Sequence, residues 1–217
     1  MESLGSFILI KMLDFEKKYY SKSIHFIAGT DEAGRGPIVG PVVAAAVIFP
    51  KGYINNEIND SKKLSAKKRE ALEKIIKKDA LAYAISFISA KEIDKINIYE
   101  ASRKAMINAL HSLKHKYDLV ISDAMPLPME ACKVIPLVKA DAKSLAVAAA
   151  SILAKVARDR YMDELDKKYP KYKFKEHKGY PTKEHLKLLK ELGPIDNEYR
   201  FSYKPVKNLH YEQLTLL

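Results

Sequence analysis

Apolar runs separated by short polar breaks divide this chain into alternating strands and helices. Ile24 to Thr30 reads as a first strand, and Val39 to Phe49, uncharged and rich in Val and Ala, reads as a second strand buried on both faces. Gly34, Gly36 and Gly40 lie between them, and so short a glycine-rich connection returns the chain as an antiparallel hairpin. Ser65 is a suitable N-cap for a helix from Ala66 to about Lys78, with Leu72, Ile75 and Ile76 on its apolar face. Ala80 to Ile88 alternates as a third strand. Ser89 with Glu92, then Asn97 with Glu100, repeat a capping-box pattern that predicts two successive helices, the second through Leu113, covering one side of the sheet. Leu119 to Asp123 and Val134 to Val138 read as short strands. Lys143 to about Lys168 is the most regular helix, and small side chains nearly all round Leu145 to Ala154 suit close approach to a sheet. Thr182 caps a final helix that stops at Gly193-Pro194. Strands alternating with helices predict a mixed α/β domain.

The pattern places acids in one kind of location. Asp31 and Glu32 fall where the first strand meets a tight turn, Asp123 at the C-terminal end of a strand, and Asp141 just after another, ahead of the long helix. Ligands in α/β sheets gather where the carboxyl ends of strands open. Adjacent half-buried anions repel and shift toward the neutral form, and a divalent cation is the usual compensation. On a regular strand Asp31 and Glu32 point to opposite faces, so a shared site requires the backbone to depart from regularity near Ala33-Gly34. Asp159 lies 18 residues beyond Asp141, which along an unbroken helix is about 27 Å. No single metal site spans that, and Asp159 is expected to form ion pairs instead.

Charge adds a partner. Lys and Arg number 38 against 27 acids, a formal net charge of +11 on a chain that is 47% hydrophobic. An excess of cations over a folded domain suits a polyanion; a generally lysine-rich composition is the plainer reading. The segment from Lys171 to Thr182 interleaves Lys with Tyr172, Phe174 and Tyr180, as a groove for nucleic acid does, although each ring could equally cover the edge of the core. Hard oxygen donors plus a basic surface point to metal-dependent phosphodiester chemistry, in which two divalent ions about 4 Å apart activate the attacking oxygen and stabilise the leaving one. Cys132 is the single cysteine, which rules out an intrachain disulfide and fits a reducing compartment. The longest uncharged run, Gly36 to Pro50, has 15 residues and is interrupted by prolines, too short to span a bilayer. The apolar patch Leu4 to Ile10 lacks a cleavage pattern, so a cytoplasmic protein without membrane attachment is expected. Residues 1–23 are expected to be an N-terminal extension, a short amphipathic helix through Leu13, Phe15, Tyr19 and Tyr20, with Met12 an alternative start.

Asp31-Glu32-Ala33-Gly34-Arg35-Gly36-Pro37 and the Ile38 to Ala46 run after it resemble the opening signature of bacterial type 2 ribonuclease H, the ribonuclease HII family. The resemblance recurs at Asp60 to Ser65, Lys139 to Asp141, Ala148 to Arg160 and His177 to His185, and it covers roughly residues 12 to 208. It implies a ribonuclease H-like mixed sheet flanked by helices, with a helical C-terminal segment. In domain terms it implies a catalytic domain over 24–208 and a tail over 209–217. The activity implied is cleavage of RNA in RNA–DNA hybrids and incision 5′ of single ribonucleotides in duplex DNA, leaving 3′-hydroxyl and 5′-phosphate ends, for ribonucleotide and primer removal. Asp31, Glu32, Asp123 and Asp141 match the family's metal-binding carboxylates, for two Mg²⁺ or Mn²⁺ ions. Gly34, Arg35 and Gly36 match the turn that engages the sugar-phosphate at the 2′-hydroxyl. Tyr180 matches the tyrosine on the following deoxyribose, Lys62 matches a lysine near the cleaved phosphate, and Lys178 of the basic aromatic segment is a further candidate contact to nucleic acid. A monomer is implied, with a DNA sliding clamp as a candidate partner through the tail.

The chain departs from the family's usual pattern at two places. Ala124-Met125-Pro126 stands where glycine often follows the aspartate, and Tyr199-Arg200-Phe201-Ser202-Tyr203 replaces a common His-Arg-Arg-Ser-Phe. The related type 3 enzymes carry an extra N-terminal domain, for which the residues before Ile24 leave no room. Two other classes compete: a non-catalytic hybrid or duplex binder of the same fold, which should lack a carboxylate, and a DNA nuclease or integrase, which should lack the Gly34-Arg35-Gly36 turn with Tyr180.

Overall fold

The structure, a computed structural model, describes residues 15–215. The Leu4 to Ile10 patch and Met12 lie outside the described residues. Five strands form one sheet: β1 (Ile27–Ala33), β2 (Val42–Ile48), β3 (Ala82–Ile88), β4 (Leu119–Asp123) and β5 (Lys133–Leu137), in the order β3-β2-β1-β4-β5. β1 pairs antiparallel with β2, and β2 with β3, whereas β4 lies parallel to both β1 and β5. The helices are α1 (Ala66–Asp79), α2 (Ala90–His111), α3 (Leu145–Lys168), the short α4 (Phe174–His177), α5 (Lys183–Leu192) and α6 (Lys204–Thr215).

The two faces of the sheet are covered by different elements. Ala45 and Val47 of β2 pack with Leu72 and Ile76 of α1 and with α3. On the opposite face Ala28, Ala44 and Ala46 meet Ala101, Ala105, Met106 and Ala109 of α2. α2 is two helices joined at a break. Asn97 has φ 65° and ψ 166°, and its side chain accepts from the Tyr99 and Glu100 amides, as the second capping pattern predicts. The small residues of α3 serve the close approach expected of them: a Cβ placed on Gly29 of β1 would lie 2.3 Å from the Val147 amide nitrogen. A separate cluster of Ile38, Val39, Met162, Phe174, Leu189, Tyr199 and Val206 fastens the C-terminal helices to the end of α3.

Two expectations change. The second strand begins at Val42, three residues later than the pattern suggested, because Pro41 cannot donate to a ladder; Val39 instead makes an isolated bridge to Tyr199. The first strand is displaced the same way and runs through Asp31, Glu32 and Ala33, still paired with β2. Nor is α5 the final helix, since α6 follows it.

Candidate active site

The carboxylates meet because two parallel strands end together. β1 and β4 pair only as far as Thr30 with Ser122, so Asp31 and Asp123 are the next residues in register, on neighbouring strands at their carboxyl ends. Alternation along β1 is preserved. Gly29 abuts α3 and Ala28 belongs to the α2 side, which puts Asp31 toward α3 and Glu32 toward the other face. No backbone irregularity is needed, contrary to the sequence-based expectation: once β4 has parted from β1, one cavity wraps the end of the strand and reaches both side chains.

That cavity, about 290 Å³, is lined by Asp31, Glu32, Asp123, Gly34, Arg35, Gly36, Lys62 and Tyr180, together with Ser61, Ser151, Lys155 and Arg158. Asp141 does not line it. It sits in a 3-10 turn, Ala140–Ala142, whose first amide donates to Asp123 Oδ1 at 2.7 Å. Among the described residues no three His, Cys, Asp or Glu side chains close into a ready-made cage. Each acid leans on a protein donor instead: Asp31 on the Glu32 amide at 2.7 Å, Glu32 on Arg35 at 3.4 Å, and Asp123 on the Ala140 amide.

The electrostatics are those of crowded anions. Burial pushes the Asp31 carboxyl well above the ordinary carboxylate range, and the charges of Glu32 and Asp123 push it further, against a hydrogen bond from Ser151. Burial likewise raises Glu32, with Arg35 opposing, and raises Asp141, where Asp123 and Asp60 add repulsion and Lys62 relieves some of it. Glu32 Oε2 is buried without a hydrogen-bond partner. An orphaned carboxylate oxygen beside acids that are costly to ionise is a donor set suited to a divalent cation, which would neutralise them and satisfy that oxygen.

The turn and loop facing the acids are held from behind. Gly34 has φ 98°, and a Cβ there would lie 2.2 Å from Arg158 Nε, so only glycine fits. Arg200, fully buried, donates to the carbonyls of Gly34 at 2.7 Å, Arg35 at 3.1 Å and Gly40 at 2.9 Å, and Tyr203 adds a bond to the Arg35 carbonyl at 2.6 Å. Arg158 similarly binds the carbonyls of Val39, Pro41 and Lys178. The altered 199–203 segment therefore shapes the turn. Tyr180 remains 47% exposed, and its ring lies 3.3 Å from where a Gly36 Cβ would be. Its carbonyl accepts from Nδ1 of buried His185 at 2.8 Å, which leaves His185 Nε2 to accept from the Tyr199 hydroxyl at 2.9 Å. His185 stacks on His177 with centroids 4.0 Å apart, and burial lowers the pKa of both rings, that of His185 to about 4.

Other residues of the basic aromatic segment divide between the two readings. Phe174 is buried, and Tyr172 stacks on it, so both belong to the core. Lys178 pairs with Asp163 and lines a neighbouring groove, outside the main cavity. Asp159 pairs with Arg69 at 3.2 Å and with Lys155. Sequence reasoning missed Ser61, Ser151, Lys155 and Arg158. Ser151, Lys155 and Arg158 follow an i, i+4, i+7 spacing on α3, and the polar stripe they make on an otherwise small-residue helix was the available signal.

Residues 28–206 match the family model described as Ribonuclease HII. The chain belongs to the ribonuclease HII family. It is therefore a metal-dependent endoribonuclease, a hydrolase acting on RNA within RNA–DNA hybrids. The ribonuclease HII of Caldanaerobacter subterraneus subsp. tengcongensis is 53% identical over 184 residues, covering 85% of this chain and 76% of that one. The crystal structure of ribonuclease H2 from Pyrococcus horikoshii OT3 aligns with a TM-score of 0.75 at 29% identity, over 86% of this chain and 98% of that one. The ribonuclease HII in a complex with PCNA from Archaeoglobus fulgidus aligns with a TM-score of 0.70 at 30% identity, over 84% and 96%. Among the described residues no helix is long and apolar enough to cross a membrane.

Proposed function

We propose that this ribonuclease HII incises duplex DNA on the 5′ side of a single embedded ribonucleotide, in addition to cutting longer hybrid tracts, and leaves 3′-hydroxyl and 5′-phosphate ends. Asp31, Glu32, Asp123 and Asp141 are the ligands we assign to two Mg²⁺ or Mn²⁺ ions. When bound, the ions supply activation of the attacking water and stabilisation of the leaving oxygen. The observation that carries the reading is the shared cavity, in which Asp31, Glu32 and Asp123 face the Gly34-Arg35-Gly36 turn and the exposed Tyr180 ring.

The chain's own residues divide the work. Gly34 and Gly36 let the backbone come close enough to a ribose for the 2′-hydroxyl to be felt, the group that distinguishes RNA from DNA. Arg35, 47% exposed at its side chain, and Lys62 offer cations to the phosphates that flank the cut. Tyr180 presents a ring face to the sugar that follows. Lys155 is drawn to Asp159 at the cavity wall and can neutralise a phosphate entering there. Lys178, held by Asp163, is assigned the outer backbone. Removal of misincorporated ribonucleotides and of RNA primers follows from this specificity. A monomeric, cytoplasmic enzyme is the simplest setting, and the PCNA complex of the Archaeoglobus fulgidus relative supports recruitment by a sliding clamp.

The test is a labelled duplex carrying one ribonucleotide, incubated with Mg²⁺ and mapped at nucleotide resolution. A single cut immediately 5′ of the ribonucleotide, absent from the all-DNA duplex, is the expected outcome. Retained binding with no incision at that position contradicts the proposal.

A further inference from the structure

The family match starts at residue 28, yet a side chain ahead of it is joined by hydrogen bonds, through Ser144 and Ala140, to the site acids. Glu16 is buried, and its neighbours Phe15, Tyr19 and Tyr20 pack against the cluster of Ile27, Leu119, Ala140 and Val147. Its Oε1 accepts from the Ser144 hydroxyl at 2.6 Å and from the Ala146 amide at 3.2 Å. Ser144 is the N-cap of α3 and is itself fully buried. The Ser144 amide donates to the Ala140 carbonyl at 2.8 Å, and the Ala140 amide donates to Asp123 Oδ1 at 2.7 Å. The turn that carries Asp141 is thus gripped from both sides, by Asp123 in front and by Ser144 with Glu16 behind.

We infer that Glu16 is a positioning residue for the metal-binding carboxylates, fixing through Ser144 the turn that presents Asp141 and binds Asp123. A carboxylate buried at a helix N-terminus already satisfies amides that would otherwise lack partners. What singles out Glu16 is its place in the chain of hydrogen bonds: beyond Ser144 the links are Ala140, in the turn that carries Asp141, and then Asp123. Partners that orient metal ligands typically change metal affinity by about 10–100-fold when removed. The N-terminal segment is in this account part of the active site's support. The inference rests on the assignment of Asp123 and Asp141 as ligands.

The experiment is calorimetric titration of the full chain with Mn²⁺, with melting temperature recorded alongside, for wild type and the Glu16→Ala, Glu16→Gln, Ser144→Ala and Asp141→Asn variants. Glu16→Ala should weaken Mn²⁺ binding by about tenfold or more, Ser144→Ala should do the same in milder form, and Glu16→Gln, which keeps the acceptor oxygen, should restore most of the affinity. Wild-type Mn²⁺ affinity in Glu16→Ala, beside a weakened Asp141→Asn, overturns the role of Glu16 while leaving the ligand assignment standing, even where the melting temperature has dropped. Unchanged affinity in Asp141→Asn overturns the ligand assignment itself. Should Glu16→Ala fail to fold, Ser144→Ala decides, and wild-type affinity there counts against the inference.

Discussion

At the scale of single residues, the site is a set of side chains whose charges the fold does not want. Because burial raises the Asp31 carboxyl, the folded state favours its protonated form. The stability this contributes is complete below the ordinary carboxylate pKa and is lost as the pH rises through the raised value. Metal-free Asp31→Asn should therefore melt a few degrees above wild type at neutral pH, with the gap closing toward about pH 4, while showing no cleavage. Divalent metal should narrow the gap by stabilising wild type alone; a variant that melts lower at neutral pH speaks against crowding at this position. Cleavage by wild type should fall as Asp31, Glu32 and Asp141 protonate. Since metal binds the ionised forms, the midpoint of that fall should move to lower pH as Mg²⁺ is increased. A midpoint independent of Mg²⁺ would separate the raised carboxyls from metal binding. Ala124 shows the same tension in the backbone. Its φ of 51° is a left-handed value that glycine adopts more readily than alanine. Ala124→Gly should raise stability, by up to about 1 kcal/mol after the added freedom of the unfolded chain is counted, as read by urea denaturation.

Between elements, the sequence was legible wherever local chemistry sets the outcome. Ser65, Ser89, Asn97 and Thr182 all cap helices as their spacing implies, with each side chain accepting from the expected amide. What could not be read was tertiary. Nothing local tells that β1 and β4 part after Thr30, and that parting lets Asp31 and Glu32 serve one cavity from opposite faces of a regular strand. Nor does the sequence around Tyr199 say that Arg200 turns inward to three carbonyls of the hairpin connection. Truncating it leaves those carbonyls and the Tyr203 hydroxyl short of a donor. Arg200→Met should cost at least about 3 kcal/mol in chemical denaturation. Tyr203→Phe, which loses the bond donated to the Arg35 carbonyl and the one accepted from Arg200, should cost about 2 kcal/mol. Equal and negligible effects would mean that the turn is held by something else.

For the whole molecule, the sheet order places the acids of β1 and β4 centrally, and the C-terminal cluster brings Tyr180 over them from one side. The chain carries +11 overall, and Arg35, Lys62, Lys155 and Arg158 line this opening. Hybrid binding should weaken steeply with salt, by about a thousandfold between 50 and 200 mM if roughly six phosphates are neutralised; a flat salt dependence would confine recognition to the cavity. The aromatic-rich segment illustrates why composition alone misleads, since only Tyr180 of its rings stays available while Phe174 is consumed by packing. The central claim is that Asp31, Glu32, Asp123 and Asp141 together hold the ions that cut the RNA strand. The most direct measurement is an anomalous difference map from crystals grown with Mn²⁺ and an uncleavable RNA–DNA hybrid. The account predicts two peaks, bounded by these four carboxylates and the phosphate to be cut; peaks elsewhere, or a site that excludes Asp141, would contradict it.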